Sequence, residues 1–207
     1  MPELPEVETV RAGLAGKLTG RLLKKVEQRR KDLRVPFPVG FASRLAGRRL
    51  LDVGRRGKYL LLTFDDGTVL LAHLGMSGRM VIQQGAPQKP GAHEHVAFRF
   101  EDDVSLTFTD PRRFGLMLLT TVAEAGQHPL LAGMGPEPLG PEFDAAYLAG
   151  VFSGKRTPLK SALLDQRLIA GLGNIYVCEA LYRAGLSPER LAGSLRRPQV
   201  AKLVEAI

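Results

Sequence analysis

The sequence predicts an α+β protein in which an N-terminal helix precedes a group of antiparallel strands and a helical C-terminal part. Three observations carry this prediction. Apolar residues recur every three or four positions from Glu3 to about Lys17, short apolar runs bounded by turn residues follow, and helical spacing returns after a Gly- and Pro-rich stretch at 126–141. The 207 residues, 44% hydrophobic and 24% charged, are enough for one large domain or two small ones with a real core.

The first helix is predicted by its apolar spacing and by the point where that spacing stops. Its apolar positions are Val7, Val10, Leu14 and Leu18. Residues three or four apart lie on one face of a helix, so these side chains form a stripe that a core can cover. Gly20 follows the stripe as a stop signal.

The middle of the chain changes to short apolar runs typical of strands. These runs are Tyr59–Phe64, Val69–His73, Val96–Phe100, Ser105–Thr109 and Leu116–Thr120. The segments DDG at 65–67 and EDD at 101–103 have the composition of hairpin tips. Strands at this spacing indicate an antiparallel β-sandwich or barrel, and Gln83–Gly91 is interpreted as a mobile loop.

The Gly- and Pro-rich stretch divides the chain. We predict one domain over 1–130, a linker over 131–142 and a helical domain over 143–207. The predicted helices are Phe143–Phe152, Pro158–Gln166, Asn174–Ala184 and Pro198–Ile207. Because the last of them stops within an apolar-periodic segment without a cap, we interpret the helical domain as incomplete at its C-terminus.

Charge is distributed unevenly along the chain, whose net charge is +8. Residues 1–60 carry 15 basic and 6 acidic side chains, residues 61–150 carry 5 and 11, and residues 151–207 carry 9 and 4. Two basic ends therefore flank an acidic middle. Such ends indicate a polyanion partner, since Lys and Arg displace counterions from phosphates, although a basic solvated surface explains the charge equally well.

Composition excludes several classes of protein. A single cysteine, Cys178, rules out an internal disulfide framework and a zinc site built from several thiolates within these residues. No apolar run approaches the ~20 residues of a membrane helix, and the acidic, Pro-rich start is not a signal peptide. A reducing cytoplasm is expected, with Cys178 buried and inert in the third predicted helix.

The start MPELPEVE has a second interpretation, as a reactive group. Removal of Met1 would leave Pro2 with a secondary amine whose pKa lies near ~7.7–8.0, so part of it is neutral and can attack an aldehyde carbon. Glu3 and Glu6 lie beside it on one helical face and can move protons. The residues alone favour the simpler interpretation, because Pro and Glu are preferred wherever a helix begins.

Five separated segments, in one order along the chain, change that balance. They are MPELPEVETV at 1–10, GRRGKYLLL at 54–62, HLGMSGR at 73–79, TDPRRFG at 109–115 and LLDQRLIAGLGNIYVCEAL at 163–181. Together they closely resemble the formamidopyrimidine-DNA glycosylase family, also called MutM or 8-oxoguanine DNA glycosylase. The resemblance implies an N-terminal helix with a two-layer antiparallel β-sandwich, followed by an all-α helix–two-turns–helix domain that binds DNA.

The resemblance implies a bifunctional base-excision-repair glycosylase/AP lyase that removes oxidised purines. In that family the N-terminal proline, here Pro2, attacks C1′ of the damaged nucleotide, a Schiff base forms, and β- and δ-eliminations cut the strand on both sides. Glu3 matches the general acid/base, Glu6 a second carboxylate near the site, and Lys58 the lysine at the phosphate and lesion end of the pocket. Without the resemblance, Lys58 is more simply a strand-end lysine within the basic run 55–58.

A base inside a duplex must be extruded before it can react, and the gap must be filled. Met76, Arg112 and Phe114 match the family's void-filling triad: Phe114 as an apolar wedge, Arg112 as a donor to the orphaned cytosine, and Met76 as a flexible filler. Met76 and Phe114 would more often be core residues, but turns such as GMSGR and PRRFG are unusual places for core.

Four residues match or join the family's phosphate contacts: His93, Arg113, Lys160 and Asn174. Asn174 also opens a predicted helix, where it is a candidate N-cap, and backbone N–H groups at such a start point at phosphate oxygens. His93 and His95 in HEHV could pass for metal ligands, but no further ligand is near in sequence, so His93 is assigned to phosphate and His95 is left unassigned.

The resemblance also implies cofactors and partners. The family binds one zinc ion through a C-terminal four-cysteine finger, and this finger is absent here, so no metal or other cofactor is expected within these residues. The expected partner is damaged double-stranded DNA, with no membrane, for a monomer in a bacterial cytoplasm associated with the nucleoid.

Three other functions remain open at this point. They are an endonuclease VIII-like glycosylase for oxidised pyrimidines, although PELPEVE disfavours that branch; a non-catalytic nucleic-acid-binding module; and an enzyme that uses an N-terminal proline as a base on small keto acids. The basic ends and the PRRFG turn speak against the last.

Overall fold

The computed structural model describes residues 2–85 and 89–207. The chain forms two compact units that divide between His128 and Pro129. The segment 131–142, which the sequence analysis assigned to a linker, falls inside the second unit, where the Gly135 N–H donates to the Gln166 carbonyl at 2.9 Å.

The first unit is an antiparallel sandwich with helices packed on it, as predicted. In chain order its elements are α1 (Leu4–Leu18), β1 (Leu22–Gln28), α2 (Phe41–Leu45), β2 (Arg48–Arg56), β3 (Tyr59–Phe64), β4 (Thr68–His73), β5 (Arg79–Gln84), β6 (Glu94–Phe100), β7 (Val104–Thr109), β8 (Leu116–Thr121) and α3 (Val122–Ala125). Val7, Leu14 and Leu18 of α1 are buried, so most of the predicted apolar stripe faces the core.

The strands form two four-stranded halves, in the orders β5-β7-β6-β1 and β2-β3-β4-β8, with all neighbours antiparallel. β1 and β2 connect the halves through the pairs Leu22↔Arg49 and Leu23↔Arg48. Side chains of both halves, such as Leu62 and Phe98, belong to one apolar cluster. The shared core confirms the predicted sandwich.

The elements that the sequence analysis missed are those without a continuous apolar run. β1 exposes Lys24 and Lys25 to solvent, and β5 alternates exposed with half-buried side chains as expected of an edge strand. β5 also takes in Gln83 and Gln84, so the predicted loop 83–91 is wrong at its start. Its residues 86–88 lie outside the described part of the chain.

Two connections cross between the halves at the same end of the sandwich, and they place the site. Residues 74–78 run from the end of β4 to the start of β5, and residues 110–115 run from the end of β7 to the start of β8. The pairs His73↔Leu116 and Arg79↔Thr109 bring these ends together. The β2–β3 hairpin turns at this end too, because Tyr59 pairs with His73.

The second unit is helical, as predicted, with α4 (Ala145–Phe152), α5 (Leu159–Leu164), α6 (Asn174–Ala184), a short 3-10 helix (Ala192–Ser194) and α7 (Arg197–Ala206). Its core includes Phe152, Leu163, Ile169, Val177 and Leu203, which are nearly or fully buried. Asp144 caps α4 by accepting the Tyr147 N–H at 2.7 Å. No helix among the described residues is long and apolar enough to cross a bilayer.

Candidate active site

The start of α1 holds a buried carboxylate beside Pro2. Glu3 is only 1% exposed, and its backbone N–H donates to Oε2 of Glu6 at 3.0 Å. Glu6 itself is exposed, and its carboxylate therefore helps to fix the entry of the chain into the helix. Pro2 is half-buried and directly precedes Glu3. The sequence-predicted amine and acid thus share one rigid helix start.

Lys58 lies in the two-residue turn between β2 and β3 and is only 8% exposed. Gly57 takes the first central position of this turn with φ +54°, where glycine is strongly favoured in tight hairpins. Burial lowers the pKa of Lys58, and the Glu3 carboxylate acts in the opposite direction. The hairpin therefore holds a desolvated amine within electrostatic reach of the acid at the helix start.

Pro2 lines an open cleft of about 500 Å³ together with residues of the two crossing connections, among them Met76, Ser77, Arg79 and Pro111. The cleft is mixed in character, with apolar walls and an arginine at its rim. Pro2 and one of the predicted void-filling residues therefore border the same space. A base or sugar could enter this cleft and reach both.

The two crossing connections touch backbone to backbone. A Cβ added at Gly75 would lie 2.4 Å from the carbonyl carbon of Phe114 and 2.5 Å from the Gly115 nitrogen, and Gly75 has φ +62°. Both the short distances and the positive φ require a residue without a side chain at this position. The turns that carry Met76 and Phe114 are thus in direct backbone contact.

The predicted void-filling side chains project from these turns toward solvent. Met76 is 41% and Phe114 44% exposed, so the interpretation of either as a core residue is excluded. The Arg112 guanidinium lies over the Phe114 ring, 4.8 Å from its centroid. Three side chains able to wedge, stack or donate are therefore presented on two adjoining turns.

His93 and Arg113, two of the predicted phosphate contacts, both have a left-handed backbone, with φ of 62° and 58°. Both are exposed. Non-glycine residues adopt this conformation at a cost, and such positions cluster at functional sites. Each is held by backbone bonds to Asp110, whose N–H donates to the His93 carbonyl at 3.0 Å and whose carbonyl accepts the Arg113 N–H at 3.2 Å.

His95, which the sequence left unassigned, is buried and has a structural role. Its Nε2 lies 2.8 Å from the Asp110 carbonyl oxygen, and Nε2 must carry the proton because a carbonyl only accepts. No group of three or more His, Cys, Asp or Glu able to hold a metal is found among the described residues. With one cysteine in the chain, the zinc finger implied by the family does not fit these residues.

His73, which the sequence analysis did not single out, borders a second cavity of about 410 Å³ with Arg34, Gly75, Met76 and Phe114. The Gly75 N–H donates to His73 Nδ1 at 2.9 Å, so the neutral ring carries its proton on Nε2. Burial first, and then the cations of Lys58 and Arg34, lower the pKa of His73 to about 4. Only its place at the end of a strand could have hinted at this from sequence.

Asp110 is the second residue that sequence reasoning missed. It is 0% exposed and opens the turn that carries Arg112 and Phe114. Its Oδ1 accepts from the Ser77 hydroxyl, and its Oδ2 accepts from the Gly115 N–H at 2.8 Å. The DPRRFG segment contains both Asp110 and Gly115, but the other partner, Ser77, lies 33 residues away in the chain.

In the second unit, hydrogen bonds of the Gln166 side chain hold the turn before α6. Its amide nitrogen donates to the carbonyls of Leu164 and Leu172, and its carbonyl accepts the Gly171 N–H, at 2.8–3.1 Å. Gly173 caps the helix and Asn174 is its first residue, so the prediction of Asn174 as the N-cap is wrong. The side chain of Asn174 instead stays exposed at the helix start.

Lys160, the other predicted phosphate contact of this unit, and Cys178 were also assigned from the sequence. Lys160 is half-buried at the start of α5, with its N–H bonded to the Pro188 carbonyl at 3.0 Å. Cys178 is exposed on α6, so the prediction that it is buried is wrong. The helical spacing puts Val177 and Leu181 on the buried face and turns position 178 outward.

The sandwich carries a buried acid, a desolvated amine and exposed Met, Arg and Phe side chains at one end. It is joined in sequence to a helical unit whose turn before α6 is held by Gln166. These features define the class of helix–two-turns–helix DNA glycosylases. The comparisons are specific. Residues 1–117 match the profile of the formamidopyrimidine-DNA glycosylase N-terminal domain, and residues 134–207 that of the formamidopyrimidine-DNA glycosylase H2TH domain. The chain therefore belongs to the formamidopyrimidine-DNA glycosylase family.

Relatives and solved structures agree with this assignment. The formamidopyrimidine-DNA glycosylases of Azorhizobium caulinodans and Cereibacter sphaeroides are 55% and 54% identical, over 94% and 100% of this chain and 70% and 76% of their own lengths. The Lactococcus lactis enzyme bound non-covalently to DNA with an AP site superposes with a TM-score of 0.89 at 32% identity, over 99% of this chain and 78% of that one. The Thermus thermophilus MutM protein gives 0.86 at 41%, over 99% and 73%.

The low pKa of His73 predicts a pH-dependent stability. The folded protein binds this proton less readily than the unfolded chain does, so the contribution of His73 is fully present above pH 6.5 and is lost as the pH falls toward 4. Within that window the free energy of unfolding should fall by up to about 1.4 kcal/mol per pH unit from this group.

Urea unfolding at several pH values checks this prediction by comparing the parent with His73→Asn, whose amide oxygen can still accept the Gly75 N–H. The variant should have the shallower slope between pH 6.5 and 4. Equal slopes for the parent and His73→Asn would show that His73 does not titrate in this way.

Proposed function

We propose that this chain is a bifunctional DNA glycosylase/AP lyase that removes oxidised purines, with Pro2 as its nucleophile. The observation that carries the proposal is the cleft at the helix start. Pro2 borders it, buried Glu3 follows, and Lys58 with its lowered pKa is in electrostatic contact with Glu3. Perturbed ionisable groups beside a cleft are typical of a catalytic site.

The first chemical step joins Pro2 to the sugar. Once Met1 has been removed, the secondary amine of Pro2 attacks C1′ and the bond between C1′ and the base breaks, with a proton going to the departing base. Glu3 then protonates O4′ as the C1′–O4′ bond breaks, and the nitrogen lone pair forms the C1′=N⁺ double bond. Glu3 directly follows Pro2 in the chain and is only 1% exposed, so its carboxyl is shielded from bulk water.

The iminium ion makes strand cleavage possible. Loss of a C2′ proton expels the 3′ phosphate, and a second proton loss expels the 5′ phosphate, which is the β,δ-elimination of the family. Water then hydrolyses the imine and restores the Pro2 amine. Lys58, buried in the β2–β3 turn and close enough to interact with Glu3, is assigned the contact with the phosphate at the lesion.

Extrusion of the nucleotide is assigned to the adjoining turns. Phe114 wedges between base steps, Met76 fills the vacated space, and Arg112 donates to the orphaned base. The exposure of Met76 and Phe114, and the stacking of Arg112 on the Phe114 ring, support these roles because all three side chains are available without unfolding the turns.

DNA is held in this proposal by phosphate contacts from both units, with His93 and Arg113 in the first and Lys160 and Asn174 in the second. The basic ends of the chain supply the long-range attraction. Relatives and structures named for formamidopyrimidine lesions and for AP-site DNA support an oxidised purine over an oxidised pyrimidine as the substrate.

Substitution of the nucleophile should abolish the covalent adduct. Borohydride added to parent protein with duplex DNA containing an abasic site should trap a protein–DNA adduct, and Pro2→Gly should trap little or none while still binding the duplex. The matched control Pro5→Ala, which changes an exposed proline of α1, should trap normally. Intact mass establishes whether Met1 is absent; full activity with Met1 retained would contradict the assigned nucleophile.

Glu3→Gln should lower excision of 8-oxoguanine by about 10²–10⁴-fold, because the amide keeps the shape of the side chain but can neither donate nor take the proton. Duplex binding should stay within a few-fold of the parent. Single-turnover release of the base measures the effect, and Glu124→Gln, at an exposed glutamate of α3, is the control. Excision by Glu3→Gln at the parent rate would exclude the acid/base role.

Arg112→Ala should flatten the preference for cytosine opposite the lesion by roughly tenfold, which is about 1.4 kcal/mol and falls within the range of about 1–3 kcal/mol for a lost base contact. Its neighbour provides the matched control, since Arg113→Ala should weaken binding to all four opposite bases alike. Excision rates on four duplexes that differ only in the opposite base measure both effects. Unchanged discrimination in Arg112→Ala would contradict the assignment.

A further inference from the structure

Asp110 joins the two connections that cross the end of the sandwich. Its carboxylate spans them: Oδ1 accepts the hydroxyl of Ser77 from the 74–78 connection, and Oδ2 accepts the N–H of Gly115 from its own connection. Ser77 Oγ in turn accepts the Arg112 N–H at 3.2 Å. One buried carboxylate thus holds the backbone on both sides of Arg112 and Phe114.

The backbone of Asp110 reaches three further residues. Its N–H donates to the His93 carbonyl, and its carbonyl accepts both the Arg113 N–H and the Nε2–H of His95. His93 and Arg113 are non-glycine residues held in the left-handed conformation at this end of the sandwich. The turns that carry Met76, Arg112 and Phe114 are called the wedge turns. Asp110 therefore bonds to both wedge turns and to the strained, exposed residues His93 and Arg113.

We propose that Asp110 is a positioning residue that holds the wedge turns in register for extrusion of the nucleotide. The proposal rests on the proposed function, since it assumes that Met76, Arg112 and Phe114 act on the duplex. Asp110 is fully buried, so it cannot touch DNA itself. It acts through Ser77 and Gly115, and a displacement of about 1 Å at the reacting end of a site can lower a rate 10²-fold.

The chemistry of the side chain predicts an order of variants. Asp110→Ala removes both acceptors, so the buried Gly115 N–H loses its partner and the half-buried Ser77 hydroxyl loses the acceptor for its proton. Asp110→Asn can still accept the Gly115 N–H through its oxygen and donate to Ser77 Oγ through its nitrogen. The alanine variant should therefore be severely impaired and the asparagine variant largely rescued, with Ser77→Ala between them.

Two substrates distinguish an effect of Asp110 on nucleotide extrusion from an effect on the covalent reaction of Pro2. Excision of 8-oxoguanine from a duplex needs extrusion, whereas borohydride trapping on a single-stranded abasic oligonucleotide needs the nucleophile but no wedge. In the full chain, Asp110→Ala should lose between about 10- and 100-fold in duplex excision and much less in single-strand trapping. The matched control is Asp66→Ala, since Asp66 likewise accepts a hydroxyl and an N–H, both from Thr68, in a hairpin at the opposite end of β4.

A third readout needs no chemistry. 2-Aminopurine placed next to a tetrahydrofuran abasic analogue in a duplex brightens when its neighbour is unstacked, so the parent should raise the fluorescence on binding. Asp110→Ala should raise it far less at equal saturation, and Asp110→Asn should restore most of the rise. A parent that brightens the probe but traps no adduct contradicts the proposed function and leaves this test intact.

The proposal is overturned by any of three results. Equal losses in duplex excision and in single-strand trapping would mean that Asp110 only maintains the fold. Parent-like excision and fluorescence in Asp110→Ala would mean that the bridge is dispensable. If Asp110→Ala does not fold, as circular dichroism would show, Ser77→Ala decides alone, and parent-like behaviour of that variant overturns the proposal.

Discussion

The close approach of two loop backbones at one end of the sandwich is the constraint on which the rest of the site depends. Gly75 has no side chain to separate the 74–78 connection from Phe114 and Gly115, so the two connections behave as one rigid surface. Strand pairing brings their ends together, and the approach then fixes the distance between Met76 and Phe114. Loops of this kind usually move; here tight packing supplies the order that regular secondary structure supplies elsewhere.

Burial also affects the ionisable side chains at this end of the sandwich. Glu3 and Lys58 are both nearly excluded from water. Burial lowers the pKa of Lys58, and the Glu3 carboxylate offsets part of that fall. Burial, and after it the cations of Lys58 and Arg34, keep His73 neutral at physiological pH.

Most of the fold, but less of the site, was predictable from sequence. The apolar runs gave β3 and α6 at their observed bounds, because burial on one or both faces leaves a clear pattern. β1 and β5 escaped because their polar residues face solvent, and Cys178 was misplaced because one residue in a helix turns the side chain by about 100°. His73 and Asp110 were missed for another reason. Lys58 and Arg34 act on His73, and Ser77 bonds to Asp110, from other segments of the chain, and no local pattern records such contacts.

The left-handed backbone of Arg113 bears on the stability of the fold. A glycine would adopt φ 58° without strain, and strain at a non-glycine residue of this kind costs about 1–3 kcal/mol. A sequence selected for thermal endurance alone would therefore prefer glycine here and would lose a guanidinium from the exposed rim. The chain carries arginine here and histidine at the similarly strained position 93, so at this rim backbone strain is accepted in return for two exposed polar side chains.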